Sequence, residues 1–129
     1  MNTRQIVEQY FDSVNRADWD RWLSLFADDA IMEDALSPRI QGVAALRGSA
    51  DGIKQAFKRF TNHIVEIVVE DDKAMVVCRI EAETAAGVPL DSTGANFYRI
   101  RGGKIAYMSS YHDTAPFIKA FSASAASTG

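Results

Sequence analysis

Two periods divide the chain. Up to about residue 60, apolar side chains recur mostly at helical spacing. From residue 63 onward they alternate. Ile6, Val7, Tyr10, Phe11 and Val14 form one apolar stripe at i, i+1, i+4, i+5 and i+8, which predicts a first helix over residues 3–16 with Thr3 as its N-cap. Asn15-Arg16-Ala17 breaks the stripe. Asp18 can cap a second helix carrying Trp19, Trp22, Leu23 and Phe26, and the very short connection predicts a helical hairpin. Residues 30–34 read as a short strand. Residues 35–42, with Pro38 and Gly42, read as a loop. From Val43 to Phe60 the pattern is helical with a break expected near Ser49-Ala-Asp-Gly52, followed by a helix carrying Ile53, Phe57 and Phe60.

The second half is a meander. Strands are expected over 63–70, 74–84, 91–101 and 104–113, with polar turns between them and a Gly102-Gly103 hairpin. Residues 114–121 add a short helix or an irregular cover, and 122–129 read as a small, polar, flexible tail. This is one domain over residues 1–121. Helices first and strands later predict α+β, with helices packed on one face of a curved antiparallel sheet. Long strands curling over helices would leave a cone, whose mouth would hold a small-molecule pocket.

Composition narrows the function. The 129 residues suit one core, and 47% apolar with 24% charged residues describe a globular chain. The net charge of -3 and the lack of a basic run argue against nucleic acid. No apolar run is long enough to span a membrane, and no secretory h-region opens the chain, so a cytoplasmic location is the default expectation. The single cysteine, Cys78, excludes an internal disulfide framework and reads as inert packing. His63 and His112 are the only histidines, and no Cys or His pair has metal-ligand spacing.

Candidate chemistry sits on the inward faces. Alternation puts Asp34 beside Met32, so the carboxylate either caps the turn before Pro38 or enters the pocket with a raised pKa. Asn96 shares its face with Ser92, Gly94, Tyr98 and Ile100, while Arg99 and Arg101 take the opposite face. Met108, Ser110 and His112 form one face of the last strand, and His112 could exchange protons near neutrality or simply be hydrogen-bonded. Tyr10 lies on the buried stripe and needs a partner for its hydroxyl. Trp19, Trp22 and Phe26 read as core.

These residues resemble a known family. Tyr10 in Glu-Gln-Tyr-Phe, then Phe26-Ala-Asp-Asp-Ala and Met32-Glu-Asp34, are similar to the ketosteroid isomerase branch of the nuclear-transport-factor-2-like superfamily. Phe97-Tyr-Arg-Ile-Arg-Gly-Gly-Lys-Ile105 and Asp113-Thr-Ala resemble SnoaL-like polyketide cyclases of the same superfamily. The resemblance implies a cone-shaped mixed sheet on N-terminal helices, a homodimer and no cofactor. It implies Asp34 as general base and Tyr10 as oxyanion donor. Asn96 stands where the isomerases carry a protonated Asp, and His112 stands where they carry an aromatic. Met32, Tyr98, Met108 and Ser110 are the expected substrate-binding residues.

The leading expectation is an acid/base enzyme that forms an enolate on a small apolar carbonyl compound, as an isomerase or cyclase. A non-catalytic ligand-binding or dimerisation domain of the same fold stands beside it. So does a hydrolase or dehydratase in which Asp34 and His112 activate water.

Overall fold

The computed structural model describes the backbone of residues 1–128 and the side chains of residues 1–123. The first helix, α1 (Thr3–Asn15), is capped one residue earlier than expected. Asn2 accepts from the Gln5 amide at 2.9 Å while the Gln5 side chain accepts from the Asn2 amide at 3.0 Å, a reciprocal capping box. The Thr3 hydroxyl donates instead to the Asp71 carbonyl. Ile6, Val7, Tyr10, Phe11 and Val14 are all buried, as their spacing requires. Ala17 takes a positive φ of 54° to turn the chain into α2 (Trp19–Ser24), capped by Asp18.

Helix α2 stops before Phe26. The Leu25 carbonyl accepts from the Ile105 amide, and Phe26 opens strand β1 (Phe26–Asp34), longer than the expected 30–34. The expected loop contains a further strand, β2 (Ser37–Gln41), antiparallel to β1. Pro38 is tolerated there because β2 is an edge strand. Helix α3 (Val43–Ala56) runs through Gly48 and Gly52 without the expected break. Leu46 and Ala50 anchor its inner side, which offsets the weak helix propensity of the two exposed glycines. It ends at Ala56, so Phe57 and Phe60 belong to strand β3 (Phe57–Glu70), where pairing with Thr84 and Ala82 overrides their helical spacing.

Strands β4 (Lys73–Thr84), β5 (Pro89–Arg101) and β6 (Lys104–His112) complete the meander. Gly102 and Gly103, at φ 58° and 76°, form the β5–β6 hairpin turn that needs positive φ at both positions. Helix α4 (Ala115–Thr128) closes the chain, continuing through residues expected to be a loose tail. The side chains of 124–128 and all of residue 129 lie outside the described residues. No helix among the described residues is long and apolar enough to cross a membrane.

The α+β class holds, but the cone does not. The six strands form one mixed sheet in the order β2-β1-β6-β5-β4-β3, neither strongly curled nor closed. Strand β1 joins β6 in parallel and extends the sheet sideways, so β2 and β3 remain at opposite edges. Helices α1, α2 and α3 pack on the inner face over the main core. Helix α4 covers a smaller apolar cluster of Ile80, Ala82, Leu90, Phe117 and Ala120.

Candidate active site

Between the sheet and the first three helices lies a cavity of about 80 Å3. Seven of the eight residues singled out from the sequence line it: Tyr10, Met32, Asp34, Asn96, Met108, Ser110 and His112. Tyr98 does not; it is fully buried behind the wall. The helices also contribute Val14, Trp19, Trp22, Ser49 and Ile53, and the sheet contributes Phe60, Asn62 and Ile80. Drug-sized ligands fill roughly 300–1,000 Å3. This cavity therefore suits a much smaller molecule.

Asp34 ends β1, opposite Ser37 on one neighbour and Ser110 on the other. His112 lies two residues beyond Ser110 and so projects to the same face. Its Nε2 stands 3.7 Å from Asp34 Oδ2. The other carboxylate oxygen accepts from the Leu36 amide at 2.8 Å. Asp34 is thus both turn cap and cavity group, one oxygen for each. Burial pushes the Asp34 carboxyl up, but His112 and the Leu36 amide outweigh it and hold the group below the usual carboxylate range. The carboxyl thus moves opposite to the rise that burial alone would give: desolvation was legible in Met32, but the opposing partner lies 78 positions along the chain.

Gly94 makes room for the imidazole. It pairs with His112 across β5 and β6, and a Cβ there would lie 2.7 Å from both His112 Nδ1 and the Tyr111 carbonyl. Phe117 from α4 packs against the other side of the ring, with centroids 5.8 Å apart.

Tyr10 faces the pair from α1. Burial pushes its hydroxyl pKa up, the Trp22 N–H (near it but short of a full hydrogen bond) and the Tyr98 hydroxyl pull it down, and the Asp34 charge adds to the rise. Tyr10 therefore stays a protonated donor. Its ring meets Tyr98 edge-on at 5.2 Å. Behind it, Asn96 Nδ2 donates to the Tyr98 hydroxyl at 3.0 Å. Such a chain of donors polarises the terminal hydroxyl. One of the two Asn96 N–H groups thus serves Tyr98.

Six buried side-chain polar atoms among the described residues have no hydrogen-bond partner, and five belong to residues of this cavity: Trp19 Nε1, Trp22 Nε1, Asn62 Oδ1, Asn96 Oδ1 and His112 Nδ1. Each would cost about 1–3 kcal/mol if left dry. These atoms gather on residues around one cavity. The two tryptophans read from the sequence as core, and both are buried. The available signal was that an indole N–H is donor-only and, when buried, needs an acceptor that the apolar stripe of α2 does not supply. Cys78 lies nearby without taking part: burial pushes its thiol up to about 11 despite a hydrogen bond from Asn62.

A wider groove of about 540 Å3 opens between α2, α3 and the β5–β6 turn, lined by Asp20, Asp28, Arg101 and Lys104 among others. Its cations are occupied: Arg101 pairs with Asp29 and Lys104 donates to the Ser24 carbonyl. Among the described residues, no three His, Cys, Asp or Glu side chains gather as a possible metal site.

Residues 7–108 match the SnoaL-like domain, and the chain belongs to that family. No curated protein matches it. Among solved structures, a candidate polyketide cyclase from Pseudomonas putida superposes with a TM-score of 0.81 at 18% identity, over 93% of this chain and 98% of that one. A protein with a ketosteroid isomerase-like fold from Catenulispora acidiphila, solved with trimethylamine, gives 0.83 at 18% identity, over 92% of each chain. An LEH-like epoxide hydrolase from Mycobacterium tuberculosis gives 0.78 at 14% identity, over 96% of this chain and 92% of that one. At these identities the likeness establishes the shared nuclear-transport-factor-2-like fold.

Proposed function

We propose that the chain is an acid/base enzyme that moves a proton on a small, largely apolar carbonyl compound through an enolate, as an isomerase or cyclase would. The observation that carries this is the Asp34–His112 pair, 3.7 Å apart, facing a small buried cavity that Tyr10 enters from the other side. A carboxylate held below its usual range is by itself a weak base near neutrality. The imidazole of His112 stands beside it, and the two groups can share the proton they take. His112 Nδ1 abuts Gly94 and Nε2 faces Asp34 Oδ2, so carboxylate and imidazole act as one pair.

In this mechanism the Asp34–His112 pair takes the proton from the carbon beside the carbonyl. The C–H electron pair becomes the enolate double bond, and charge accumulates on the oxygen. The Tyr10 hydroxyl, backed by Tyr98 and Asn96, donates to that oxygen. His112 then returns the proton to another carbon, or the enolate carbon attacks a second carbonyl before protonation. The outer sheet face supports pairing of two chains. Val68, Met75 and Phe97 make one cross-strand row, and Val77, Ala95 and Tyr111 a second. Val68 is 61% and Tyr111 60% exposed in the single chain.

Proton exchange in D2O tests the reading. Small ketones and enones are incubated with the protein, and loss of the α-proton signal is followed by NMR. The wild type accelerates exchange on at least one of them, and His112→Ala does not. Equal rates for the two proteins across the set would overturn the enolate mechanism. Solvent 18O appearing at a carbon other than the carbonyl would replace it with water addition.

A further inference from the structure

Helices and sheet contribute opposite hydrogen-bonding groups to the cavity. The unpartnered atoms from the helices are donors, the Trp19 and Trp22 indole N–H groups, and Tyr10 adds its hydroxyl. The unpartnered amide atoms from the sheet are oxygens. Asn96 has its Nδ2 on Tyr98, and the Asn62 side chain serves Cys78, leaving Oδ1 free in both. The Nδ2 bond to Tyr98 leaves the Asn96 amide oxygen as the unpaired atom. A ligand with only a carbonyl would answer the helical donors and leave the sheet's acceptors unanswered.

We infer that the ligand is a small carbonyl compound that also carries a hydroxyl or N–H group: its carbonyl oxygen meets Tyr10 and the Trp22 N–H, and its donor meets the amide oxygen of Asn96. Trp22 is then a second oxyanion donor, beside an Asn96 that has one of its two N–H groups on Tyr98. Trp22 is 2% exposed, and its ring centroid lies 6.1 Å from that of Tyr10. The cavity volume limits the compound to a few heavy atoms beyond these two groups. The inference rests on the proton-transfer reading for the carbonyl, while the acceptor side of the cavity stands independently of any chemistry.

Hydroxyacetone and butanone are a matched pair of probes: nearly the same size, with a hydroxyl in one where the other has a methyl. Binding is measured by ligand-observed NMR, and α-proton exchange is measured separately in D2O. The wild type is expected to bind hydroxyacetone about tenfold or more tightly than butanone, because a site built to accept from a hydroxyl discriminates against its loss. In Asn96→Leu that ratio falls to about one. In Trp22→Phe, which keeps the ring and loses the N–H, both probes weaken together and the ratio survives. Circular dichroism confirms that each variant is folded, and Trp22→Phe carries the test of the donor side if Asn96→Leu does not fold. Equal binding of the two probes, or binding of neither, overturns the ligand class and leaves water as the partner of the amide oxygens. Preference for hydroxyacetone without exchange keeps the ligand class and removes the enolate reading. Equal binding with exchange of both does the reverse.

Discussion

The cavity's two walls are built on different principles. The sheet wall carries Asp34, Asn96 and His112, on strands each paired on both sides. Their positions follow from register: Asp34 faces Ser110, Asn96 faces Ser110 from the other neighbour, and Gly94 faces His112. The helix wall carries Tyr10, Trp19 and Trp22. Helix α2 has only six residues, too few to be stable alone, so the indoles are held by aromatic packing. Under the proposed proton-transfer mechanism, the difference divides the tasks. Proton-transfer groups need fixed distances and sit on the ladder. Donors to an oxygen tolerate adjustment and sit on packed helices.

The largest expected effects break the sheet wall's pair. His112→Ala is expected to lower α-proton exchange by about 10²–10⁴-fold, the range of a positioned acid/base group. Asp34→Asn keeps the shape and removes the charge, and is expected to abolish turnover while sparing the fold. The helix wall's counterpart, Tyr10→Phe, is expected to lose about 10²–10³-fold, as when one oxyanion donor is removed. If Tyr10→Phe proved harmless while Trp22→Phe did not, the oxygen would sit at the indole and the hydroxyl chain would be structural.

Gly94→Ala tests whether register alone places the imidazole. The new methyl would stand 2.7 Å from His112 Nδ1 and from a backbone carbonyl, so the ring must shift or the strands must part. Exchange is expected to drop by about tenfold to a hundredfold, since displacement of roughly 1 Å costs on that scale. Binding of the probes should change less than the rate. Equal losses in both would mean that the substitution deforms the whole cavity.

Acid sensitivity gives a further reading of the pair. The folded Asp34 carboxyl lies below its unfolded value, so its contribution to stability is complete above the unfolded value, about pH 4, and disappears as pH falls through the folded one. Wild type and Asp34→Asn are therefore expected to differ most in urea midpoint near neutrality and to converge below about pH 4. A constant difference across that range would mean that the Asp34 charge contributes nothing to the fold.

Much of the sheet wall was legible in the sequence because strand alternation is local. Met32 and Asp34, or Ser110 and His112, are assigned to a common face by counting twos. What alternation does not carry is the partner across the ladder. The 3.7 Å approach of His112 to Asp34 depends on β1 lying parallel beside β6, a pairing between the first and last strands. The same pairing flattened the expected cone into an open sheet. On the helix side, spacing identified Trp19 and Trp22 as buried but not the fate of their N–H groups, because polar satisfaction depends on all the surrounding elements at once. The missed break in α3 has a simpler cause: propensity penalises glycine, and the packing of Leu46 and Ala50 overrules it.

That last case leads to the smallest expected effect, and it sharpens the contrast between walls. Gly48 and Gly52 lie inside α3, neither at positive φ, and a Cβ at either would meet nothing within 4 Å. Alanine should therefore stabilise the helix by roughly 0.5–1 kcal/mol per site, through a smaller loss of backbone freedom on folding. The double variant is expected to gain nearly the sum, because the sites are exposed and share no partner. Urea unfolding measures the gain and α-proton exchange measures its consequence. If α3 is only a cover, as Ser49 and Ile53 at the cavity edge allow, stability rises and the exchange rate stays constant. If the rate falls as the helix stiffens, motion of the helix wall belongs to turnover, and the division of tasks between a fixed sheet and an adjustable set of helices becomes a kinetic property of the proposed reaction.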